Sequence, residues 1–374
     1  MKILHVIPNL FKGGAQRLVI DICNEFKNRS KIEVKIIVLS NSKNYFAYAS
    51  KNLEIQYCDI NIELSIFKKN NINIGCYERL LDDFKPEVIH SHLYLAELVT
   101  HEYPRKNIRY VTHFHNNLDQ LSRLKFKNLF FKKHITNLYE KKRLLQRYKK
   151  TSKTFITISN DCQKYLKSVF PSHLINKTVK LENAINHSLF SSKEVISPKK
   201  KINLINVGNL FKNKNQIFLV DVVKYLLSKN HEATLTLIGD GICREEITDK
   251  VISLGLEEHI EIIGSVDNVQ DYLWKSNCYV HSAYSEAFGL VLLESMAARI
   301  PIVSYNGRGN SDIIINKETG ILIEQLDEKI FGDAIINLFS DHLFYKNLAE
   351  KAYAFSKKYD IKKYVSELIK IYKI

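Results

Sequence analysis

The 374-residue chain is sparing with the residues that interrupt or cross-link a fold. Thirteen glycines and six prolines leave no room for a long low-complexity linker, and no fixed-period repeat is visible. The six cysteines (Cys23, Cys58, Cys76, Cys162, Cys243 and Cys278) are scattered without a C-x-x-C pair. That is the usage of a reducing compartment, where cysteine serves as a small apolar residue, so no disulfide is expected. No stretch approaches the roughly 18 apolar residues needed to span a bilayer. The opening MKILHVIPNLFKGG is broken by His5, Pro8 and Asn9 and lacks a small-residue cleavage site, so it reads as a buried first strand rather than a signal peptide. A cytoplasmic protein is expected, unless it is held at a membrane surface.

Acidic residues are scarce in one region. From Ser122 to Lys153 there are twelve Lys or Arg and one acid, Glu140, a local excess of +11 against a net +15 for the whole chain. Phe126, Leu129, Phe130, Phe131, Ile135, Leu138, Leu144 and Leu145 are interleaved with these charges at mixed helical spacing. A basic helix with an aromatic flank suits an anionic membrane surface. The plainer alternative is a solvated face over an ordinary core helix. No recognised nucleic-acid motif accompanies the charge, so nucleic acid is not an expected partner.

What is abundant is alternation of short β-branched runs with helix-length segments. Strands are expected at 2–7, 34–39, 87–92, 110–115 and 155–159, then at 202–208, 233–239, 260–264, 278–282, 301–305 and 321–324. Helices are expected at 16–28, 215–228 and 244–254. Several strands are apolar without alternation, as in parallel sheets covered on both faces. The pattern predicts doubly wound parallel α/β sheets. It restarts after the polar, proline-containing stretch 192–201, which gives one domain over 1–192 and a second over 201–355. The last segment, 356–374, is expected as a helix packing back on the first domain. Ligands of such sheets bind beyond the carboxyl ends of the strands, so the loops after strands are where function is sought.

Four such places stand out. Gly13-Gly14-Ala15-Gln16 follows the first strand and opens a helix whose N-terminus favours an anion; a tight turn is the plain alternative. His90, His92, His113 and His115 end two strands. We read the i, i+2 members of each pair as facing opposite sides of the sheet, so that neither pair chelates, and no metal is expected. A single histidine placed for hydrogen bonding is the preferred role, beside that of a satisfied core residue. Gly208-Asn209-Leu210-Phe211-Lys212-Asn213-Lys214 offers ammonium groups to phosphate oxygens, and Gly239-Asp240-Gly241 is a turn of the same kind. Finally, SEAFGLVLLESMA (285–297) predicts a buried helix from about Gly289 to Arg299, with Glu286 before it and Glu294 just over one turn inside. Phe288, Gly289 and Leu290 would present N–H groups to an anion. The two carboxylates would take hydroxyls on either side of a bound phosphate.

The segment from Glu286 to Glu294 resembles the E-x7-E motif of the retaining nucleotide-sugar glycosyltransferases of family four, the glycosyl transferases group 1 with the GT-B fold. The likeness runs along nearly the whole chain. Gly13-Gly14-Ala15-Gln16 is similar to the family's glycine loop. Asn183-Ala184-Ile185-Asn186 with Phe190 is similar to its "NGID…F" segment, Gly239-Asp240-Gly241 to its "GDG" turn, and Gly320-Ile321-Leu322-Ile323 to its late strand. The resemblance implies two Rossmann-like domains facing a cleft. It implies no cofactor and no metal, in keeping with the absence of a D-x-D motif. The co-substrate would be a nucleotide-diphosphate sugar carrying UDP or GDP.

Carried over residue by residue, the resemblance makes Glu286, His115 and Lys214 the catalytic candidates. It gives donor contacts to Gly13, Gly14, Gly208, Asn209, Lys214, Gly239, Ser265, Glu286, Ala287, Phe288, Gly289, Leu290 and Glu294. Glu294 would hold the ribose hydroxyls, and Glu286 a hydroxyl of the transferred sugar. The expected reaction passes that sugar to a glycan or lipid-linked glycan, as in bacterial surface polysaccharide synthesis. The chain departs from the family at Asn209, where Arg is usual, at Asn186, and in the loop Asn306–Asn310. A catalytically weak nucleotide-sugar-binding protein on the same scaffold is therefore the rival reading. A non-hydrolysing nucleotide-sugar epimerase of the same fold fits the E-x7-E segment poorly.

Overall fold

In the computed structural model the described residues are all but 41–45, 47–48, 61, 64–70, 123–131, 151–152, 193, 196–200 and 374. Phe126, Leu129, Phe130 and Phe131 of the basic segment lie outside them. The chain divides into two compact units: Met1–Asn183 with Tyr364–Ile374, and Ala184–Lys363. Each is a doubly wound parallel α/β sheet.

The first unit holds β1 (Lys2–Ile7), β2 (Glu33–Val38), β3 (Glu54–Tyr57), a small antiparallel pair β4 (Ile62–Glu63) and β5 (Asn71–Ile72), then β6 (Val88–His92), β7 (Arg109–Phe114), β8 (Lys153–Thr157) and β9 (Thr178–Lys180). Seven of these form a parallel sheet in the order β3-β2-β1-β6-β7-β8-β9. The central strands match the expected ones to within two residues because they are continuous apolar runs with no exposed face. Edge strands β3 and β9 went unseen: they are short, polar and partly exposed, with no pattern to read.

The helix Gly14–Lys27 buries Leu18, Val19, Ile20, Ile22, Cys23 and Phe26 along one stripe. The expectation of six free thiols is overturned at one pair. Cys58, just after β3, and Cys76, in the helix Gly75–Phe84, are joined by a disulfide, with Cα atoms 5.8 Å apart. Their 18-residue separation gave no sign of this proximity, which the fold alone creates. Cys23, Cys162, Cys243 and Cys278 are free and buried.

The second unit holds β10 (Ile202–Val207), β11 (Ala233–Ile238), β12 (Ile260–Gly264), β13 (Cys278–His281), β14 (Ile302–Tyr305) and β15 (Ile321–Ile323). Their order, β12-β11-β10-β13-β14-β15, runs outward in both directions from the β10–β13 neighbours. At that switch point the following loops diverge and leave a crevice beyond the strand ends. The second unit opens at Ala184, ahead of the polar stretch 192–201, because the turn His187–Phe190 packs within it. Trp274 Nε1 donates to the Phe190 carbonyl, and His187 contacts Ser356. The helix Ile361–Lys373 begins in the second unit and continues from Tyr364 within the first.

Candidate active site

In the second unit the sequence brings Lys214 and Glu286 together from opposite sides of the switch point. Lys214 ends a short 3-10 turn, Lys212–Lys214, after β10. That loop is stitched to the one after β13: Ser282 Oγ donates to the Lys214 carbonyl, and the Tyr284 N–H donates to the Asn213 carbonyl. Lys214 Nζ is thereby delivered onto Glu286 Oε1 as a hydrogen-bonded ion pair. The backbone of Glu286 is clamped in turn by the loop after β14. Its N–H donates to the Arg308 carbonyl, and the Arg308 N–H donates to the Tyr284 carbonyl. Gly309, at φ +89°, closes this clamp, and a Cβ there would collide with the Glu286 carbonyl oxygen.

A residue that the sequence reading missed completes the group. His281, at the end of β13 and 3% exposed, places Nε2 3.3 Å from Glu286 Oε1. The only sequence signal was a histidine at a strand end just before the E-x7-E segment. Burial by itself would raise the Glu286 pKa; His281 and the Lys214 charge outweigh that and hold it at about 2. Glu286 is thus a fixed anion whose counter-cation is itself a candidate phosphate ligand.

The helix expected at 289–299 runs over Leu290–Ala297 and buries Leu292, Leu293, Ser295, Met296 and Ala297. Gly289 is its N-cap, at φ +83°, a left-handed conformation that glycine adopts without strain, and no side chain caps the helix. The Leu292 N–H donates to the Gly289 carbonyl, and the N–H groups of Leu290 and Val291 have no partner within the helix, so this end suits an anion. Phe288 is buried against Tyr359, Ala287 is exposed, and Glu294 is half-buried on the helix. Gly208, Gly239 and Ser265 follow β10, β11 and β12, at the same edge of the sheet. Asn209 turns its carbonyl to Gln216 Nε2.

Gly13, Gly14 and His115 belong to the first unit. Gly13 is the N-cap of the helix Gly14–Lys27. His115 follows β7 and joins a cluster the sequence reading got wrong. Residues two apart in a strand share a face, and the registers His5↔His90 and His92↔His113 put five imidazoles on one side of the sheet. His90 and His92 have ring centroids 4.2 Å apart, as do His113 and His115. Burial pushes all five pKa values down, to about 3 for His5 and His115, so the rings are neutral.

Two triplets, His5-His90-His92 and His92-His113-His115, have ring nitrogens within 4.8 Å of one another. Imidazole is a transition-metal ligand. Here, however, the closest nitrogens point at each other along hydrogen bonds rather than at a common centre. Neither triplet includes a carboxylate to offset a buried double charge.

Among the described residues no helix is long and apolar enough to cross a membrane. The helix Lys132–Tyr148 exposes Ile135 and Leu138, while Leu144, Arg147 and Tyr148 are buried. Arg147 pairs with Glu102, and the Tyr148 hydroxyl donates to Glu97.

Residues 189–355 match the model of the glycosyl transferases group 1, and residues 12–187 match that of Glycosyltransferase Family 4. An uncharacterized glycosyltransferase of Methanocaldococcus jannaschii is 29% identical over 56% of this chain and 57% of its own length. The chain thus spans little more than half of that relative. The capsular polysaccharide biosynthesis glycosyltransferase CapH of Staphylococcus aureus is 24% identical over 84% of this chain and 83% of its own. The crystal structure of Anabaena HepE in complex with UDP and glucose superimposes with a TM-score of 0.76 at 17% identity. That superposition covers 99% of this chain and 98% of the other.

Proposed function

On the premise that this chain belongs to the group 1 glycosyl transferases of family 4, we propose that it transfers a sugar, with retention, from a nucleotide-diphosphate sugar to a glycan or lipid-linked glycan. The observation that carries the reading is the Lys214–Glu286–His281 group at the β10–β13 switch point, beside an uncapped helix N-terminus. A leaving diphosphate develops negative charge, and an ammonium group with preorganised N–H donors stabilises it without reorganisation.

Lys214 is the cation for that charge. While the site is empty Glu286 holds it in place, and it is shared with the diphosphate when the donor enters. Glu286, fixed as the carboxylate, accepts a hydrogen bond from a hydroxyl of the transferred sugar and orients it. It forms no covalent bond, because the leaving phosphate takes the proton of the attacking hydroxyl on the same face. Glu294 accepts from the ribose hydroxyls, and His115 hydrogen-bonds the reacting sugar. The donor carries UDP or GDP; the UDP complex of HepE favours trying UDP first. A role in surface polysaccharide synthesis is favoured by the likeness to CapH.

The basic helix Lys132–Tyr148, with Ile135 and Leu138 exposed, would rest on an anionic membrane where the acceptor lies. Charge reversal at Lys141, Lys142 and Arg143 is expected to reduce sedimentation with anionic vesicles and leave UDP binding intact. Equal, negligible sedimentation of the unaltered protein with anionic and neutral vesicles would sink the membrane role. For the reaction, a panel of nucleotide sugars is assayed for donor hydrolysis, with Glu286→Ala and Glu294→Ala as controls. Donor turnover by the unaltered protein that is lost in Glu286→Ala and needs more donor in Glu294→Ala supports a catalytic site. Binding without turnover for every donor and acceptor tried would favour the non-catalytic binding protein that Asn209 suggests.

A further inference from the structure

The two partners of Glu286 differ in kind. Lys214 Nζ is hydrogen-bonded to Oε1, whereas His281 Nε2 stands 3.3 Å from the same oxygen without forming a hydrogen bond. An imidazole meets a carboxylate favourably only through an N–H, since a bare nitrogen would set lone pair against lone pair. His281 Nδ1 has no partner among the described residues, so nothing draws the hydrogen there instead. His281 is thus a donor aimed at Glu286 and not engaged while Lys214 holds the oxygen.

Only one of the two partners can follow a ligand. Lys214 is 23% exposed, and its ammonium rides on a flexible four-carbon stem. Its backbone stays in place, because Ser282 Oγ donates to the Lys214 carbonyl at 3.0 Å. His281 is buried at the end of β13 and pairs in register with Ser304 of β14. Tyr279 lies two residues before it on the same face of the strand. The two rings stack with centroids 6.0 Å apart, and the Tyr279 hydroxyl donates to the Val207 carbonyl of β10. The imidazole is therefore held by the sheet while the ammonium is not.

A diphosphate that draws the ammonium toward itself leaves one cation between two anions. Glu286 is only 11% exposed, so water does not replace the lost bond. A buried carboxylate stripped of its partner is strongly disfavoured. Either the carboxyl takes up a proton or a second donor closes on it. A protonated carboxyl would carry a hydroxyl that itself needs an acceptor, and none is placed for it, since Nε2 carries a hydrogen. The second donor is already there. Shortening its 3.3 Å contact by roughly half an ångström gives a charge-assisted N–H···O bond of ordinary length.

We propose that His281 is a positioning residue that takes over Glu286 when Lys214 passes to the diphosphate. Its Nε2–H then closes onto Oε1 and keeps the carboxylate aimed at the sugar hydroxyl while the bond to the diphosphate breaks. The passage of Lys214 rests on the donor reading proposed above, but the contact between His281 and Glu286 does not.

The test uses the full chain with ¹⁵N-labelled histidine, UDP as the probe, and His281→Gln to identify the His281 signals. An N–H proton resonates further downfield as its hydrogen bond shortens. The His281 Nε2–H proton is expected to move downfield when UDP is added. In Lys214→Met, where the oxygen is already released, it is expected to lie downfield without UDP. No movement in Lys214→Met overturns the proposal, whatever UDP does. Movement there but none with UDP leaves the contact between His281 and Glu286 standing and refutes the passage of Lys214 to the diphosphate. In steady state, His281→Phe is expected to lower kcat for donor turnover roughly ten- to a hundredfold, the worth of a hydrogen bond to a charged group, with UDP affinity unchanged. His281→Gln, whose amide N–H reaches the place of Nε2–H, is expected to recover most of that loss. Equal losses in the two variants, or UDP binding lost together with kcat in His281→Phe, would show a packing role and overturn the proposal.

Discussion

Replacing Lys214 by methionine tests the reading of the second unit most directly. The Glu286 carboxyl has its pKa at about 2 rather than the ordinary 4.5. That depression corresponds to about 3 kcal/mol of favourable interaction with the ionised form. It is shared between His281 and Lys214. The sign follows from the depressed value: the stabilisation is complete above pH ~4.5 and fades as the pH falls toward 2. At pH 7, Lys214→Met removes one contributor and leaves a carboxylate that is only 11% exposed. A loss of roughly 1–2 kcal/mol is expected for a partly buried pair broken on one side. In a Glu286→Gln background no anion remains, and the same Lys214→Met change should cost less than about 0.5 kcal/mol.

The sole tryptophan, Trp274, lies in the second unit with its ring N–H on the Phe190 carbonyl, so its fluorescence in urea follows that unit. Equal costs of Lys214→Met in the two backgrounds would refute the coupling. On the proposed sharing of Lys214 with the diphosphate, donor binding loosens the same pair, which gives a functional counterpart. Glu286→Gln should bind UDP at least as tightly as the unaltered protein while transferring sugar far more slowly. Weaker UDP binding in that variant would count against a shared Lys214.

Three further outcomes are expected. Glu294→Ala should raise the donor KM with little change in kcat, and Glu286→Ala should lower kcat; identical defects would contradict the assignment of one carboxylate to ribose and the other to sugar. The buried, neutral histidines of the first unit have folded pKa values below 6.5, so the unfolded chain takes up protons first and acid destabilises. Unfolding followed by circular dichroism should show stability falling from pH 6.5 to 5, less steeply when His101, buried in the first unit with Nε2 3.1 Å from the Thr112 hydroxyl, is replaced by Gln, and a flat profile would refute this. Thiol labelling of the unfolded chain should find four reactive cysteines before reduction and six after it; opening the Cys58–Cys76 loop should cost about 3 kcal/mol.

Most of the architecture was legible because parallel strands covered on both faces are continuous apolar runs, and their spacing fixes the alternation with helices. β3 and β9 were not, being short and polar. Of the candidate site, Glu286 and Glu294 were legible as a pair through a spaced motif, since the helix Leu290–Ala297 ties them together locally; Lys214 was legible only as a lysine in the loop after a strand. His281 was not, because nothing in its neighbours marks it until β13 is set beside β10.

By itself the sequence determined two doubly wound α/β units, the buried helix Leu290–Ala297, and the two acids before and within it. All of these depend on contacts between residues near in the chain or on burial patterns repeated along it. Only the tertiary structure decided which distant groups meet. It set Lys214 on Glu286 across 72 residues, closed Cys58 on Cys76, and gathered His5, His92 and His115 into one hydrogen-bonded row. Those meetings are fixed by strand order and register, which align side chains across the sheet and leave no trace in local composition.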